Sequence, residues 1–496
     1  MKNNKKFIVA IDQGTTSSRA ILFNTQGKLL FKSQLEFRQY FPKNGWVEHN
    51  PEEIWNKTKK VLMDTINKSK RLKGDILTIG ITNQRETTIL WDCVSGKPVY
   101  NAIVWQDRRT TDFCKKYRSN KRERLINKKT GLMIDPYFSG TKIKWIIENV
   151  TKAKKLLRKK QLLFGTIDSF LLWRLTKGRI HATDATNASR TMLYNINTNK
   201  WDNQILKSLK IPSHILPLIK NSSDDFGYTH KSITGKSYPI TGVVGDQQAA
   251  TIGQCCFEKG SVKGTYGTGA FVLMNTGYKK IYSKNRLLTT LCYRLNGKST
   301  YALEGSIFIA GAAVQWMRDK IKLINNASET EKIVKSLKGN SGVYLVPAFT
   351  GLGAPYWNSN VRGVLCGLTR NTGSKEIVRA VIESVAYQSY DLFNAMKNDG
   401  LKPKLIKVDG GMVKNNWFSQ FLSDVINIRV YRSKVDETTA LGAAFMAGLK
   451  IGVFKSLKDI SKKWKVDNKF RPKIQNTERL KLLNGWSQAI RKTLIH

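Results

Sequence analysis

Three predicted strands of this chain end in an acidic turn beside glycine, and this recurrence restricts the possible folds most. The turns are Asp12-Gln13-Gly14, Gly245-Asp246-Gln247 and Asp409-Gly410-Gly411, and each follows a short apolar run. Ligands of open α/β sheets bind at the carboxyl ends of strands. Glycine lets a backbone approach a ligand closely, and carboxylates hold magnesium. The pattern therefore predicts an α/β fold that binds a magnesium–nucleotide complex.

The pattern around the first turn recurs later in the chain. Residues 7–24 predict a strand, a turn rich in hydroxyl groups and a second strand. Residues 261–275 repeat that order around Gly267-Thr268-Gly269. A repeat of this kind predicts two related α/β halves, which we place at residues 1–250 and 251–496. Taken singly, each acidic turn could be an ordinary turn without a ligand.

Several classes of protein are excluded or disfavoured. The chain has no G-x-x-x-x-G-K-[ST] segment, and no G-x-G-x-x-G follows its first strand, which argues against P-loop and dinucleotide folds. No apolar stretch reaches transmembrane length, and the basic N-terminal segment has too short an apolar run for a signal peptide. We expect a cytoplasmic protein without membrane insertion. Its six cysteines form no C-x-x-C pair and its five histidines no zinc pattern, so reduced structural thiols are expected.

The net charge of +48 is extreme. It could reflect a polyanionic partner such as nucleic acid, or a compositional drift toward lysine. Lysine is spread along the whole chain, and the basic runs have no interleaved aromatic residues. These observations favour drift, so no specific nucleic-acid partner is expected.

Local patterns predict the secondary structure. Asn50 and Pro51 predict the start of a helix that continues to about Lys70. Residues 110–238 read as a helix-rich insertion in the first half. We also predict a helix from Gly305 to Lys320, a long helix over residues 375–397, a small apolar helix over residues 438–449, and helix and loop for the last forty residues.

A resemblance to a known family is carried by segments along almost the entire chain, namely IVAIDQGTTSSRA, GITNQRETTILWD, NAIVWQDRR, IDPYFSGTKIKW, TNASRTML, GDQQAA, YGTGAF, PAFTGLGAPYW, VDGGMVKNN and TALGAA. On these segments the chain resembles the glycerol kinases of the FGGY carbohydrate kinase family. The resemblance implies an α/β fold of two ribonuclease H-like, actin-like ATPase domains with an active-site cleft between them. It also implies transfer of phosphate from magnesium-ATP to glycerol, for glycerol catabolism and supply of glycerol 3-phosphate.

The resemblance also implies roles for individual residues. Asp246 would be the catalytic base, and Asp12 and Asp246 would place magnesium. Glycerol would be held by Arg85, Glu86, Trp105, Tyr137, Asp246, Gln247 and Phe271. The ATP phosphates would contact Thr15, Thr16, Ser17 and Arg19, and the nucleotide pocket of the second half would be lined by Thr268, Gly311, Gln315, Gly411 and Asn415.

Alternatives remain open for single residues. Trp105 and Phe271 could be core aromatics, and Glu86 could form a surface ion pair with Arg85. Asp246 and Asn415 could each serve as a helix cap or start.

Two other functions are weighed against glycerol phosphorylation. One is a related kinase of another polyol or of a ketopentose, and NQRET and DPYFSGTK speak against it. The other is a basic nucleic-acid-associated ATPase of the same fold.

The resemblance further implies a homodimer or homotetramer. Some related enzymes are inhibited by fructose 1,6-bisphosphate through a loop bearing glycine and arginine. The corresponding residues 228–237 contain no arginine, so we predict weak or absent inhibition by this sugar phosphate.

Overall fold

The structure is a computed structural model that describes residues 5–495. The chain forms two compact units. The first contains residues 5–255, Thr289–Tyr301 and Glu437–Lys463, and the second contains Cys256–Leu288, Ala302–Asp436 and residues 464–495.

The strands, in chain order, are β1 (Lys5–Gln13), β2 (Ser17–Asn24), β3 (Leu29–Glu36), β4 (Glu48–His49), β5 (Gly74–Asn83), β6 (Ile89–Asp92), β7 (Ala102–Ile103), β8 (Leu162–Gly165), β9 (Ala182–Asp184), β10 (Tyr194–Asn195), β11 (Lys200–Trp201), β12 (Leu218–Lys220), β13 (Ile240–Gly245), β14 (Val262–Tyr266), β15 (Ala270–Gly277), β16 (Leu288–Leu295), β17 (Lys298–Ile307), β18 (Tyr344–Val346), β19 (Val364–Cys366), β20 (Leu405–Asp409), β21 (Arg429–Ser433) and β22 (Val466–Phe470).

The α-helices are α1 (Pro51–Arg71), α2 (Thr111–Tyr117), α3 (Asn120–Thr130), α4 (Ser139–Asn149), α5 (Thr151–Arg158), α6 (Ile167–Leu175), α7 (Ala185–Ala188), α8 (Asn203–Leu209), α9 (Lys231–Thr234), α10 (Asp246–Gly253), α11 (Gly311–Asp319), α12 (Glu329–Lys335), α13 (Ser374–Asn398), α14 (Asn416–Ile426), α15 (Thr438–Lys450), α16 (Leu457–Ser461) and α17 (Asn476–Leu494). Short 3₁₀ helices cover Ser213–Ile215 and Met412–Lys414.

The first unit is built on a five-stranded sheet with the order β13-β5-β1-β2-β3. The strands β13, β5 and β1 are parallel, while β2 and β3 are antiparallel additions to β1. The apolar run Phe7–Ile11 of β1 is fully buried, as expected for a strand covered on both faces. In β3, at the edge, exposed residues recur at about every second position.

Two helices cover opposite faces of this sheet. The side chain of Asn50 caps α1 by accepting from the amides of Glu52 and Glu53, and apolar residues of α1 join the core around Ile79 and Ile81. Successive side chains of a strand point to opposite faces, so Gly80 faces away from that core. A Cβ on Gly80 would lie 2.4 Å from the carbonyl oxygen of Ala443 in α15. The glycines of this face therefore allow α15 to pack directly on the sheet backbone.

The second unit repeats the same plan. Six of its strands lie in the order β17-β15-β14-β20-β21-β22. The hairpin β14–β15 is antiparallel, and β20 and β21 follow in parallel, as β5 and β13 do in the first unit. The two units therefore share one α/β plan, while the bounds of the halves at residues 1–250 and 251–496 stay a prediction.

Most predicted elements are confirmed, including α1, α13, α15 and the Asn50 cap. Two predictions were wrong. Residues 305–307 continue strand β17, and helix α11 begins only at Gly311. The C-terminal segment predicted as helix and loop contains strand β22, which pairs with β21.

Within residues 5–495, no helix combines the length and apolar character needed to cross a membrane. All six cysteines are free thiols, as predicted.

Candidate active site

Two of the predicted acidic residues lie at the carboxyl edge of the first sheet. Asp12 of β1 and Val244 of β13 both pair with Thr82 of the intervening strand β5. Asp246 follows two residues after Val244. Because adjacent strands lie about 4.8 Å apart, the backbones at Asp12 and Val244 are separated by roughly 10 Å.

Asp246 is the first residue of helix α10, and Gly245 occupies the cap position. The alternative of Asp246 as the helix cap was therefore wrong. Its Oδ1 lies 3.0 Å from Nε of Arg85 and accepts the backbone amide of Gln247 at 2.6 Å. The Asp246 side chain is 28% exposed whereas that of Arg85 is 2% exposed. The buried arginine thus holds a carboxylate that stays accessible to a ligand.

Glu86 is buried in an unusual backbone conformation with φ of +60°, which is strained for a residue with a side chain. Its Oε1 accepts from Nε of Arg190 at 2.6 Å and lies 3.8 Å from Nε of Arg85. Arg190 is itself fully buried over the rings of Tyr137 and Phe138. Glu86 is therefore a buried group in an arginine network, and the alternative of a surface ion pair was wrong.

Two predicted aromatic residues meet in the same unit. Trp105 and Tyr137 contact edge to face with ring centroids 5.8 Å apart. The indole Nε1 of Trp105 donates to Oγ1 of Thr15 at 3.0 Å. The fully buried Lys142 donates from Nζ to the carbonyl of Tyr137 at 2.6 Å, and burial lowers the pKa of Lys142 to about 8. These contacts connect the residues that are predicted to hold glycerol with the turn that is predicted to bind the ATP phosphates.

The turn between β1 and β2 is closed by a hydrogen bond from the amide of Gly14 to the carbonyl of Ser17 at 2.9 Å. Thr15 and Thr16 lie at its tip, and Ser17 begins β2. Nη1 of Arg19 lies 3.7 Å from Oδ2 of Asp12 and donates to Glu437 at 2.9 Å. Arg19 is thus shared between two carboxylates.

The surroundings of Asp12 indicate whether the first unit could bind magnesium. Burial raises the pKa of Asp12, while nearby Arg19 lowers it and Glu437 raises it. No group of three potential metal-ligating side chains occurs in the part of the chain that the structure describes. Magnesium usually binds through one or two carboxylates together with phosphates and water. A buried carboxylate whose charge is only partly balanced fits that mode of binding.

In the second unit, all five residues predicted to line a nucleotide pocket surround one cavity of about 550 Å³. They are Thr268, Gly311, Gln315, Gly411 and Asn415. A Cβ on Gly311 would lie 2.7 Å from the carbonyl oxygen of Gly267, so glycine allows the start of α11 to approach the turn. Val314, Ile382 and Phe418 add apolar wall, and the volume is within the range of small-molecule sites.

The positions of the remaining predicted site residues say less about their function. Phe271 lies on β15 opposite Thr265 and is half-buried. Gln247 is buried in the first turn of α10. Asn415 caps α14 by accepting from the amide of Phe418, as the alternative proposed, and it also lines the cavity. A larger open groove of about 1270 Å³ on the first unit, near Trp55 and Trp173, contains none of the predicted residues.

Three residues of the site were missed. Arg190 stands within the TNASRTML segment but had no assigned role, and Lys142 stands within IDPYFSGTKIKW. Buried charges of this kind are rare unless paired, but burial cannot be read from one sequence. Glu437 lies 418 residues from its partner Arg19, and no local pattern links the two.

Comparison with known proteins extends over nearly the whole chain. The profile described as the N-terminal domain of the FGGY family of carbohydrate kinases matches residues 7–253, and that of its C-terminal domain matches residues 262–451. A glycerol kinase of Ectopseudomonas mendocina is 53% identical over 98% of this chain and 99% of that protein. A glycerol kinase of Petrotoga mobilis is 53% identical over 98% of each chain.

Solved structures agree. A crystal structure of Plasmodium falciparum glycerol kinase with ADP shares 40% identity at a TM-score of 0.92, with 99% of each chain covered. A gluconate kinase of Lactobacillus acidophilus, at 23% identity and a TM-score of 0.86, covers 98% of this chain and 97% of its own and shares the fold. The fold is that of the two-domain carbohydrate kinases, related to the actin-like ATPases. The chain therefore belongs to the FGGY family of carbohydrate kinases.

Proposed function

We propose that this chain transfers the γ-phosphoryl group of ATP to the terminal hydroxyl of glycerol, which yields sn-glycerol 3-phosphate and ADP. The observation that carries the proposal is the accessible Asp246 carboxylate held at 3.0 Å by buried Arg85 at the carboxyl edge of the sheet. The identity of more than half to curated glycerol kinases supports the choice of substrate.

Asp246 is the proposed general base. As the glycerol hydroxyl attacks the γ-phosphorus, its proton passes to the Asp246 carboxylate, the new O–P bond forms and the bond to the β-phosphate oxygen breaks. The carboxylate is positioned before substrate binds, since its Oδ1 lies 3.0 Å from Nε of Arg85 and accepts the Gln247 amide at 2.6 Å.

Glycerol is proposed to bind through Arg85, Glu86, Tyr137 and Gln247, with Trp105 and Phe271 against its carbon atoms. A triol offers three hydroxyl groups, and buried charged partners reject analogues that leave them unpaired. The network of Glu86 and Arg190 keeps this polar set fixed before substrate arrives.

The phosphates are proposed to contact Thr15, Thr16, Ser17 and Arg19. Asp12, with Asp246, would hold magnesium, which neutralises charge on the phosphates when bound. The cavity around Thr268 and Asn415 would take the adenine nucleotide.

A panel assay tests this function. ADP release is measured with glycerol, dihydroxyacetone, xylulose and gluconate at equal concentrations of magnesium-ATP. We expect glycerol to give the highest kcat/KM. A higher kcat/KM for xylulose or gluconate would show a related sugar kinase instead, and tight binding of nucleic acid at physiological salt without any turnover would reject the kinase function.

The location and assembly follow from the same proposal. An enzyme that consumes ATP is expected in the cytoplasm, and a homodimer or homotetramer is expected from the family. Light scattering after size-exclusion chromatography measures the assembly.

A further inference from the structure

His49 lies at the end of the short strand β4 and is fully buried. Its ring packs edge to face on Phe37 with centroids 5.0 Å apart. No role was assigned to it from the sequence, where residues 45–50 read as a loop. Its two ring nitrogens nevertheless have separate partners.

The hydrogen bonds around His49 fix its tautomer. The carbonyl of Thr15 can only accept, so the amide nitrogen Nε2 of Gln39 faces it at 2.9 Å. The Oε1 atom of Gln39 therefore faces His49, whose Nε2 donates to it at 2.6 Å. Nδ1 of His49 is then the acceptor for Nε2 of Gln84 at 3.3 Å. Burial lowers the pKa of His49 to about 3, which agrees with a neutral ring.

Gln84 connects His49 to the same turn from the other side. Its Nε2 atom also lies 3.2 Å from the carbonyl of Gly14 and 3.0 Å from Oε1 of Gln13, so its two hydrogens are shared among three acceptors. The Nε2 atom of Gln13 donates to the carbonyl of Gly14 at 2.7 Å. Gln13 and Gln84 are both fully buried, so these bonds are shielded from water.

The carbonyl groups of the turn are therefore all occupied. Gly14 and Thr15 accept from the glutamine amides, and Thr16 accepts from the backbone amide of Phe37 at 3.2 Å. Within residues 5–495, the backbone amides of Thr15 and Thr16 donate to no protein group. A turn with occupied carbonyls and available amides is suited to bind an anion.

We propose that His49 is a positioning residue for phosphoryl transfer, which acts through Gln39 and Gln84 to hold the Gly14–Thr15 turn in the form that binds nucleotide phosphate. This inference rests on the proposed function, because the turn is assigned to phosphate there. Preorganised donors stabilise transferring charge without reorganisation during the reaction. A turn released from its carbonyl partners would lose that advantage.

The main test compares His49→Phe and His49→Gln with the wild-type enzyme. Phenylalanine keeps the ring packing and removes both hydrogen bonds, so we expect kcat to fall roughly 10- to 100-fold with little change in the KM for glycerol. Glutamine keeps a donor toward Gln39 and should recover part of the loss. A His49→Phe kcat within about threefold of wild type would overturn the proposal.

His181→Phe is the matched control. His181 is also mostly buried, donates from Nε2 to the carbonyl of Phe164 at 2.8 Å, and packs on Trp91. We expect this variant to lose stability and keep its kcat. Equal losses of kcat in the two phenylalanine variants would show a general structural effect and overturn the proposal.

Gln39→Met keeps the test decisive if His49→Phe does not fold. This variant removes the donor to the Thr15 carbonyl, so its kcat should also fall. A kcat equal to that of the wild type would overturn the proposal. The double variant should lose no more than the more damaging single variant, because both act through one chain of bonds. Fully additive losses would contradict that chain.

A binding measurement separates this inference from the proposed function. If the wild-type enzyme fails to phosphorylate glycerol, the proposed substrate is wrong, and calorimetric titration with ADP and with adenosine still tests His49. We expect His49→Phe to weaken ADP binding about tenfold and to leave adenosine binding unchanged. If the variant binds ADP as tightly as the wild-type enzyme does, and adenosine likewise, the role of His49 is overturned.

Discussion

Nε of Arg85 lies 3.0 Å from Oδ1 of Asp246, and the arginine is buried while the carboxylate is partly exposed. The same guanidinium reaches Oε1 of Gln248 from Nη1 at 3.2 Å and lies near Glu86. A planar guanidinium can serve several partners at fixed angles, which an ammonium group cannot. Arg85 therefore sets the position of the proposed base.

Arg85→Lys should lower kcat by about 100-fold, because lysine keeps the charge and loses the fixed geometry. Steady-state kinetics with glycerol and magnesium-ATP measures this. Arg174→Lys is the control, since Arg174 pairs with both carboxylate oxygens of Glu52 at 2.7 and 2.8 Å outside the predicted site. Equal kcat values for the two variants would argue against a positioning role for Arg85.

Glu86→Gln should raise the KM for glycerol by about tenfold or more. It should also lower the melting temperature, because buried Arg190 loses its countercharge and a broken buried pair costs about 3 to 5 kcal/mol. Glu148→Gln, which removes an exposed pairing with Lys144, should change neither quantity. An unaltered KM in Glu86→Gln would remove Glu86 from the glycerol site.

Lys142 predicts a pH dependence of stability. Its pKa is about 8 when folded and about 10.5 when unfolded. Below pH 8 both states bind the proton, whereas between pH 8 and 10.5 only the unfolded state holds it fully, so stability rises with pH over that window. Chemical denaturation should show that the free energy of unfolding of the wild type rises over this window by on the order of 3 kcal/mol relative to that of Lys142→Met. Parallel pH profiles of the two proteins would contradict this assignment.

Gly442→Ala should destabilise the first unit by roughly 1 to 3 kcal/mol, because the added Cβ cannot be accommodated. It would lie 1.8 Å from the carbonyl oxygen of Ala249 in α10. Gly339→Ala, where no atom lies within 4 Å of the added Cβ, is the control. Thermal unfolding of both variants gives the comparison, and equal melting temperatures would show that α15 adjusts.

The sequence predicts the strands and turns of the fold well because their patterns are local. The apolar runs and acidic turns define β1, β13 and β20 without reference to distant residues. Strand β22 was missed because three of its five residues are exposed and polar, so no alternating pattern marks it. Residues 305–307 read as a helix start because small residues suit both structures.

The site was predicted by resemblance more than by pattern. The five residues that the resemblance assigns to a nucleotide pocket surround one cavity of the second unit, and their role there stays a prediction. Nothing local indicates that Glu86 adopts a positive φ. The pairing of Arg19 with Glu437 and the packing of α15 on β5 depend on contacts between distant parts of the chain. Such contacts are set by tertiary packing, which one sequence does not display.

The central claim is that Asp246 accepts the proton of glycerol, and turnover by Asp246→Asn tests it most directly. Asparagine keeps an oxygen for the Gln247 amide and removes the basic carboxylate. ADP release at saturating glycerol and magnesium-ATP should fall by roughly 100- to 10,000-fold, with the ADP dissociation constant within about threefold of wild type. Near-normal turnover in this variant would contradict the account.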